Sequence, residues 1–253
     1  VAFSGDNPCS LIGLGLVEDG MTAISLGTSD TCFSYLERCP EQLSEEGHLF
    51  IAPTGGYMSL LCFKNGRLAR ERIREEYGIP DWRAFGELVQ SRPPGNDGGL
   101  LIPWFDPEIV PRVLIPGVQR ANLDAMDPAA NARGVYEGQM LAMRLHLQRA
   151  GVRPRELRAT GGASKDPVLL QIMANVFNAP VGVLRTSNSA ALGAALRAAQ
   201  ACNPECSWPD IVDGFTDPLP DSIIQPQNGI TERYDAAVQA YADLEEATLT
   251  TRC

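Results

Sequence analysis

The sequence predicts a mixed α/β protein, one β-sheet with helices packed against it. Two observations carry this. Short apolar stretches rich in β-branched and aromatic residues crowd the first quarter of the chain. After residue 127, helical periodicities alternate with short buried-type strands. A third observation concerns chemistry: glycine-marked polar turns follow three of the predicted strands, and α/β sheets gather ligands at strand ends. At 253 residues and 44% hydrophobic content, the chain can bury a sizeable core as one large domain or two small ones.

The elements follow in order. Residues 3–5 read as the end of a strand leading into "GDNP". A helix is predicted over 8–16, with Asn7 at its N-cap and Pro8 in its first position. Residues 21–26 form a short apolar strand, "GTSD" a turn, and residues 31–36 a second strand. "GHLFIAP" and "YMSLLCFKNG" continue the β run, and Asn65-Gly66 is a turn signal. A helix runs from Arg67 to Glu76 and ends at Gly78. Asp81 caps a shorter one that carries Trp82, Phe85 and Leu88. "SRPPGNDGG" is a loop, and "LIPWFDPEIVPRVLIPG" holds too many prolines for regular structure. Asp127-Pro128 opens a helix in which Val135, Gly138, Leu141, Ala142 and Leu145 keep helical spacing. Residues 157–160 are a strand that runs into "GGASKD". Asp166-Pro167 then opens a helix with Leu170, Met173, Ala174 and Phe177 on one face. "APVGVLRT" is a buried-type strand, and "NSAALGAALRAA" a helix of small residues able to approach a sheet closely. The last helix aligns Tyr234, Val238, Tyr241 and Leu244 in one stripe. Internal repeats and low-complexity tracts are lacking.

A net charge of −10 argues against a nucleic-acid surface. It does not forbid anionic substrates, because clustered backbone N–H groups bind phosphate. No apolar run has the length of a membrane helix, and no signal-peptide pattern is present. Seven scattered cysteines, without C-x-x-C and with the pair Cys202 and Cys206 far in sequence from His48 and His146, read as reduced thiols rather than a zinc site. A cytosolic protein is expected. His48 is expected as a surface or turn residue and His146 as a structural or solvated helix residue. "RERIREEYG" (70–78) reads as a solvated charged face with i, i+4 pairs. Met140 and Met143 read as ordinary helix residues.

Each of the three turns has two readings. In "LGTSD", Gly27 permits a sharp turn, while Thr28 and Ser29 place hydroxyls beside exposed N–H groups, a small anion nest. The same residues suit a plain β-hairpin. In "TGGASKDP", two glycines let the backbone lie flat against a nucleobase, and the turn feeds a helix N-terminus. Lys165 and Asp166 offer polar contacts. It is neither a Walker P-loop nor G-x-G-x-x-G, and a simple strand-to-helix link with an Asp cap would look the same. "SGDNP" supplies Asp6, which in phosphoryl transfer can orient a hydroxyl and accept its proton. An Asx-type turn is the alternative.

Taken together, "GDNP…SLIGLGL", "ISLGTSDT", "LLCFKNGRLARE", "YEGQMLAMRLH", "ATGGASKDPVLLQIMANVFNAPV" and "SAALGAALRAA" resemble the carboxy-terminal half of the FGGY carbohydrate kinases. They are most similar to the xylulose-kinase branch. The likeness runs from Phe3 to about Ala199 and weakens over 91–127 and after Cys202. It implies an actin-like, ribonuclease H-like ATPase lobe: an α/β fold with a mixed β-sheet and flanking helices. Residues 1–253 would form the carboxy-terminal, nucleotide-binding lobe, with a core over 1–202 and an extension and helix over 203–253. The amino-terminal sugar-binding lobe is not matched here and is expected as the partner that completes the cleft beside Asp6.

The resemblance also implies roles. Asp6 matches the catalytic base and Asn7 its sugar-contacting neighbour. Gly27, Thr28 and Ser29 match the loop at the β- and γ-phosphates. Gly161 and Gly162 match the adenosine loop. Asp166 stands where the family often has Asn, and as a carboxylate it can accept from a ribose hydroxyl or adenine amine. Trp82 matches an aromatic near the adenine, with a partly buried core tryptophan as the alternative. The implied reaction is ATP-dependent phosphorylation of a ketopentose with Mg2+, D-xylulose giving D-xylulose 5-phosphate. L-ribulose, glycerol and gluconate are alternative substrates, and a non-catalytic nucleotide-dependent sugar sensor is an alternative of a different class. Metal ligands are not assigned, and a homodimer is left open.

Overall fold

Alternation of side chains along the strands gives the sheet two apolar faces, and each face collects its own helices. The computed structural model describes residues 4–40, 46–184 and 188–251. Phe3 of the first expected strand lies outside them, as do the last residues of the expected "APVGVLRT" strand and Cys253. The elements in chain order are α1 (Asp6–Gly13), β1 (Met21–Leu26), β2 (Asp30–Leu36), β3 (His48–Ile51), β4 (Tyr57–Phe63), α2 (Arg67–Glu76), α3 (Trp82–Gln90), β5 (Leu100–Ile102), β6 (Gln119–Ala121), α4 (Pro128–Arg149), β7 (Glu156–Thr160), α5 (Pro167–Phe177), β8 (Val181–Val183), α6 (Ser189–Cys202), α7 (Trp208–Val212) and α8 (Thr231–Thr250).

The main sheet has the order β3-β4-β2-β1-β7-β8. From β3 to β1 the pairing is antiparallel, whereas β1–β7 and β7–β8 are parallel. The strand β1 therefore joins an antiparallel half to a parallel one, the mixed α/β sheet expected from the sequence. Ile24, Leu26, Cys32, Leu61 and Phe63 face the larger core, under α2, α3, α4, α5 and α8. Their neighbours Ala23, Phe33, Tyr35, Met58 and Leu60 face the other side, where Leu11 and Leu14 cover them. The helix α4 runs through the larger core and is buried on nearly every side, its polar Asn131, Arg133, Glu137, Gln139 and His146 included.

The helix α1 is held by α6 in an unusually close crossing. A Cβ on Gly13 would lie 1.9 Å from the Ser189 carbonyl oxygen, and one on Gly193 would lie 1.7 Å from that of Cys9. Ser189 Oγ also bonds Ser10 Oγ at 3.2 Å. Small residues here let two backbones touch, so the glycines set the position of α1 and of Asp6 at its start.

Several expectations are corrected. The first helix begins at Asp6, with Gly5 as its cap residue and no side-chain cap. Asn7 is thus inside the helix, because Gly5 already has the extended conformation that an N-cap needs. The two-stranded β5–β6 ribbon brackets the proline-rich segment and takes in only its first two residues, Leu101 and Ile102. His48 is exposed, as the surface reading has it, but opens an edge strand instead of sitting in a turn. His146 is not solvated: it is 0% exposed, with Nδ1 2.7 Å from Glu46 and Nε2 3.0 Å from Glu245. Nor is all of "RERIREEYG" a solvated face, since Arg70 is 1% exposed.

Candidate active site

The parallel pairing of β1 and β7 sets Ser25 against Thr160, so both strands end side by side and both glycine turns leave at the same edge. Gly161 has φ +85°, and a Cβ there would sit 2.5 Å from the Leu26 carbonyl oxygen. Only glycine satisfies both conditions. The two turns are therefore locked together through backbone contact.

The turn Gly27–Ser29 does connect two antiparallel strands, as the plain hairpin reading has it, and Thr28 is exposed at its tip. It also rests on a second turn. The Arg67 N–H donates to the Gly27 carbonyl at 3.0 Å. A Cβ on Gly66 would lie 2.8 Å from the Thr28 carbonyl and from the Asp30 nitrogen. Beneath them Arg70 donates to both Asp30 oxygens, at 2.9 and 3.2 Å, and to Gln139 Oε1 at 2.8 Å. Burial pushes the Asp30 carboxyl above its ordinary value, while Arg70 and the Gly27 N–H pull it down.

Beside the turns lies a cavity of about 430 Å³ lined by Arg67, Arg70, Trp82, Arg83, Tyr136 and the loop residues Gly162, Ala163, Lys165, Asp166 and Pro167. Its size falls within the range of small-ligand sites. At Gly162 nothing lies within 4 Å of where a Cβ would be, so bare backbone faces the cavity. Asp81 caps α3 by accepting from the Ala84 N–H at 2.8 Å, which fixes Trp82 at the cavity wall. The Trp82 ring is 38% exposed, packs edge-on against Phe85 at 5.5 Å, and has Arg74 over it at 5.3 Å.

Asp166 serves two purposes. Its Oδ1 caps α5 by accepting from Val168 and Leu169 N–H at 2.9 and 3.3 Å. Its Oδ2 accepts from the Tyr136 hydroxyl at 2.5 Å. Burial and the adjacent carboxylate raise the Tyr136 phenol far above its ordinary value, so it stays a donor and keeps that oxygen aimed.

Of the expected site residues, Trp82, Gly162 and Asp166 meet in the cavity. Gly161, Gly27, Thr28 and Ser29 form the adjoining turns rather than its lining. Asp6 and Asn7 stand apart from the cavity lining, on α1. Asp6 is exposed, with Oδ1 accepting from the Asn7 N–H at 2.8 Å. Sequence reasoning missed Arg67, Arg70, Arg83 and Tyr136. Two arginines three apart directly after the Asn65-Gly66 turn, in an acidic protein, were the available signal. Among the described residues no group of three or more His, Cys, Asp or Glu side chains is arranged to hold a metal ion. No helix among them is long and apolar enough to cross a membrane.

The profile described as "FGGY family of carbohydrate kinases, C-terminal domain" matches residues 22–202, a stretch that includes both glycine turns and the whole cavity. The chain belongs to the FGGY carbohydrate kinases. Within that family it is 41% identical to a xylulose kinase of Rattus norvegicus over 98% of this chain and 47% of that protein. It is 40% identical to a xylulose kinase of Mus musculus over 99% of this chain and 46% of that protein. The chain spans about half the length of the curated relatives it matches. A ligand-bound xylulose kinase structure from Lactobacillus acidophilus superposes with a TM-score of 0.83 at 21% identity, covering 96% of this chain and 50% of that one. The fold of this FGGY lobe is thus the expected actin-like, ribonuclease H-like ATPase fold.

Proposed function

We propose that this chain is the carboxy-terminal, nucleotide-binding lobe of an ATP-dependent ketopentose kinase that converts D-xylulose to D-xylulose 5-phosphate, with the sugar held largely by an amino-terminal lobe. The observation that carries the proposal is the cavity between Trp82 and the Gly162–Asp166 loop, opening beside a hydroxyl-bearing turn at the ends of two parallel strands. Trp82 offers a flat aromatic face to the base, and the bare backbone at Gly162 lets it approach closely. The carboxylate of Asp166 accepts hydrogen bonds, which suits an adenine amine or ribose hydroxyl. Thr28, Ser29 and the surrounding N–H groups would hold the β- and γ-phosphates. Identities of 41% and 40% to two xylulose kinases support xylulose over other sugars.

In the reaction, the Asp6 carboxylate takes the proton of the sugar 5-hydroxyl as that oxygen attacks the γ-phosphorus. The bond from the γ-phosphorus to the bridging oxygen breaks, and ADP carries away the electron pair. Magnesium, when bound, neutralises charge on the phosphate oxygens. The hydroxyl and carboxylate donors here, without a three-ligand cluster among the described residues, suit an ion carried mainly by phosphate and water. Closure of the second lobe would exclude water and limit ATP hydrolysis.

The test is sugar-dependent ADP release by the whole protein, two lobes included, against D-xylulose, L-ribulose, glycerol and gluconate. D-xylulose should give the highest kcat/KM. Asp6→Asn should lower kcat by about 10²–10⁴-fold with ATP-analogue affinity nearly unchanged. The chain of residues 1–253 alone should bind the analogue weakly and phosphorylate nothing. Near-normal turnover by Asp6→Asn would remove Asp6 from its role, and ATP use indifferent to every sugar would remove the kinase reading.

A further inference from the structure

Resting on the kinase reading above, we infer that Arg70 is a positioning residue for the phosphate-binding turn, acting through Asp30. The two side chains are buried, at 1% and 0% exposure. Burying two charges is costly, and a well-packed apolar pair of similar volume would serve stability as well. The pair therefore calls for a reason other than holding the fold together, and its location supplies one. Asp30 is the first residue after Gly27–Ser29, and Arg70 grips it with two parallel N–H donors, a planar fork that fixes orientation as well as distance.

Every further bond of this cluster ends on a segment that touches the turn. Arg70 Nη1 also donates to Gln139 Oε1, and Gln139 Nε2 donates to the carbonyls of Asn65 and Gly66 at 2.7 and 2.9 Å. Gly66 in turn abuts Thr28 and Asp30, and Arg67 N–H holds the Gly27 carbonyl. The brace therefore spans the β1–β2 turn, the start of α2 and the middle of α4. Arg70 also forms part of the cavity wall, so the residue that holds Asp30 borders the cavity as well. Loosening it would free Gly27–Ser29 from the Asp30 and Gly66 contacts that now hold the turn.

The experiment uses the whole protein and four variants: Asp30→Asn, Arg70→Lys, Arg70→Gln, and the double variant Asp30→Asn/Arg70→Gln. Three quantities are read: the thermal midpoint, kcat with D-xylulose, and the ratio of affinities for a non-hydrolysable ATP analogue and for adenosine. Arg70→Lys keeps the charge but loses the fork, and should lower kcat by about tenfold or more and reduce the affinity ratio. The double variant removes both buried charges and should regain much of the midpoint lost by the singles, while kcat stays about 10²-fold down. Adenosine affinity of Asp30→Asn should stay within about twofold of wild type while its analogue affinity falls about tenfold. Activity that follows the thermal midpoint across all four variants would overturn the inference, because a merely structural pair behaves that way. An unchanged affinity ratio in Arg70→Lys would overturn it independently, even if the double variant fails to fold. Wild-type protein that binds neither probe would overturn the kinase reading, and this inference with it.

Discussion

Substituting Gly193 by Ala should be one of the most damaging single-methyl changes in the chain. A Cβ there would sit 1.7 Å from the Cys9 carbonyl oxygen, where at least 3.0 Å is needed, so α1 and α6 must part by about 1.3 Å. The contacted atoms are backbone of α1, and the same crossing is tight at Gly13, so no side chain can swing aside. Overpacking of this kind costs about 3 kcal/mol, which in a chain of this size lowers the thermal midpoint by about 6–12 °C. The second consequence is functional. Asp6 is the first residue of α1, so moving α1 moves the proposed base, and a displacement near 1 Å costs about 10²-fold in turnover. The assay pairs thermal unfolding with kcat for D-xylulose in the whole protein, alongside Ala194→Ser on the exposed face of α6 as control. The control should change stability by no more than about 0.5 kcal/mol. A Gly193→Ala protein with wild-type midpoint and turnover would show that the crossing does not place Asp6.

Three further outcomes are expected. Gly162→Val should leave the thermal midpoint within about 2 °C of wild type, since the position is open, but weaken ATP-analogue binding about tenfold by filling the cavity. Gly161→Ala should lower the midpoint, because φ +85° and the Leu26 carbonyl both oppose a side chain; titration calorimetry and thermal unfolding distinguish the two. The buried His146 should make stability depend on pH. Burial alone would lower its pKa, but the bonds to Glu245 and Glu46 outweigh that and raise it above 6.5, while His146 and Arg149 hold Glu245 below 4.5 against the effect of burial. The raised histidine contributes fully below pH 6.5, and that contribution is lost as pH rises through its folded pKa. The Glu245 contribution is present above pH 4.5 and is lost as pH falls through its lower folded pKa. Thermal midpoints across pH 4–9 should thus show wild type losing stability above pH 6.5 relative to His146→Gln, with the variant about 3 kcal/mol less stable near pH 6; parallel curves would refute the assignment.

Much of the fold was legible because its signals are local. Asp81, Asp127 and Asp166 each cap the helix that follows, as their sequence positions imply. The stripe of Tyr234, Val238 and Tyr241 is buried as its spacing requires. The start of α1 was misjudged because Asn7-Pro8 offers a good local cap, and only the extended backbone of Gly5 shows the helix beginning earlier. The short α7, with its Ser207–Asp210 capping box, was overlooked although its signal is local.

The candidate site divides the same way. Sequence alone determined the glycine turns, the helix starts that follow two of them and the carboxylate at Asp6, because each is written within a few consecutive residues. Tertiary structure alone decided that Arg70 is buried against Asp30 and Gln139, that Tyr136 meets Asp166, and that Arg67 and Trp82 share a cavity with Gly162. These partners lie 30 to 69 residues apart for the hydrogen-bonded pairs. A charged side chain on a helix is normally solvated, and only a partner delivered by the fold from far along the chain makes its burial affordable.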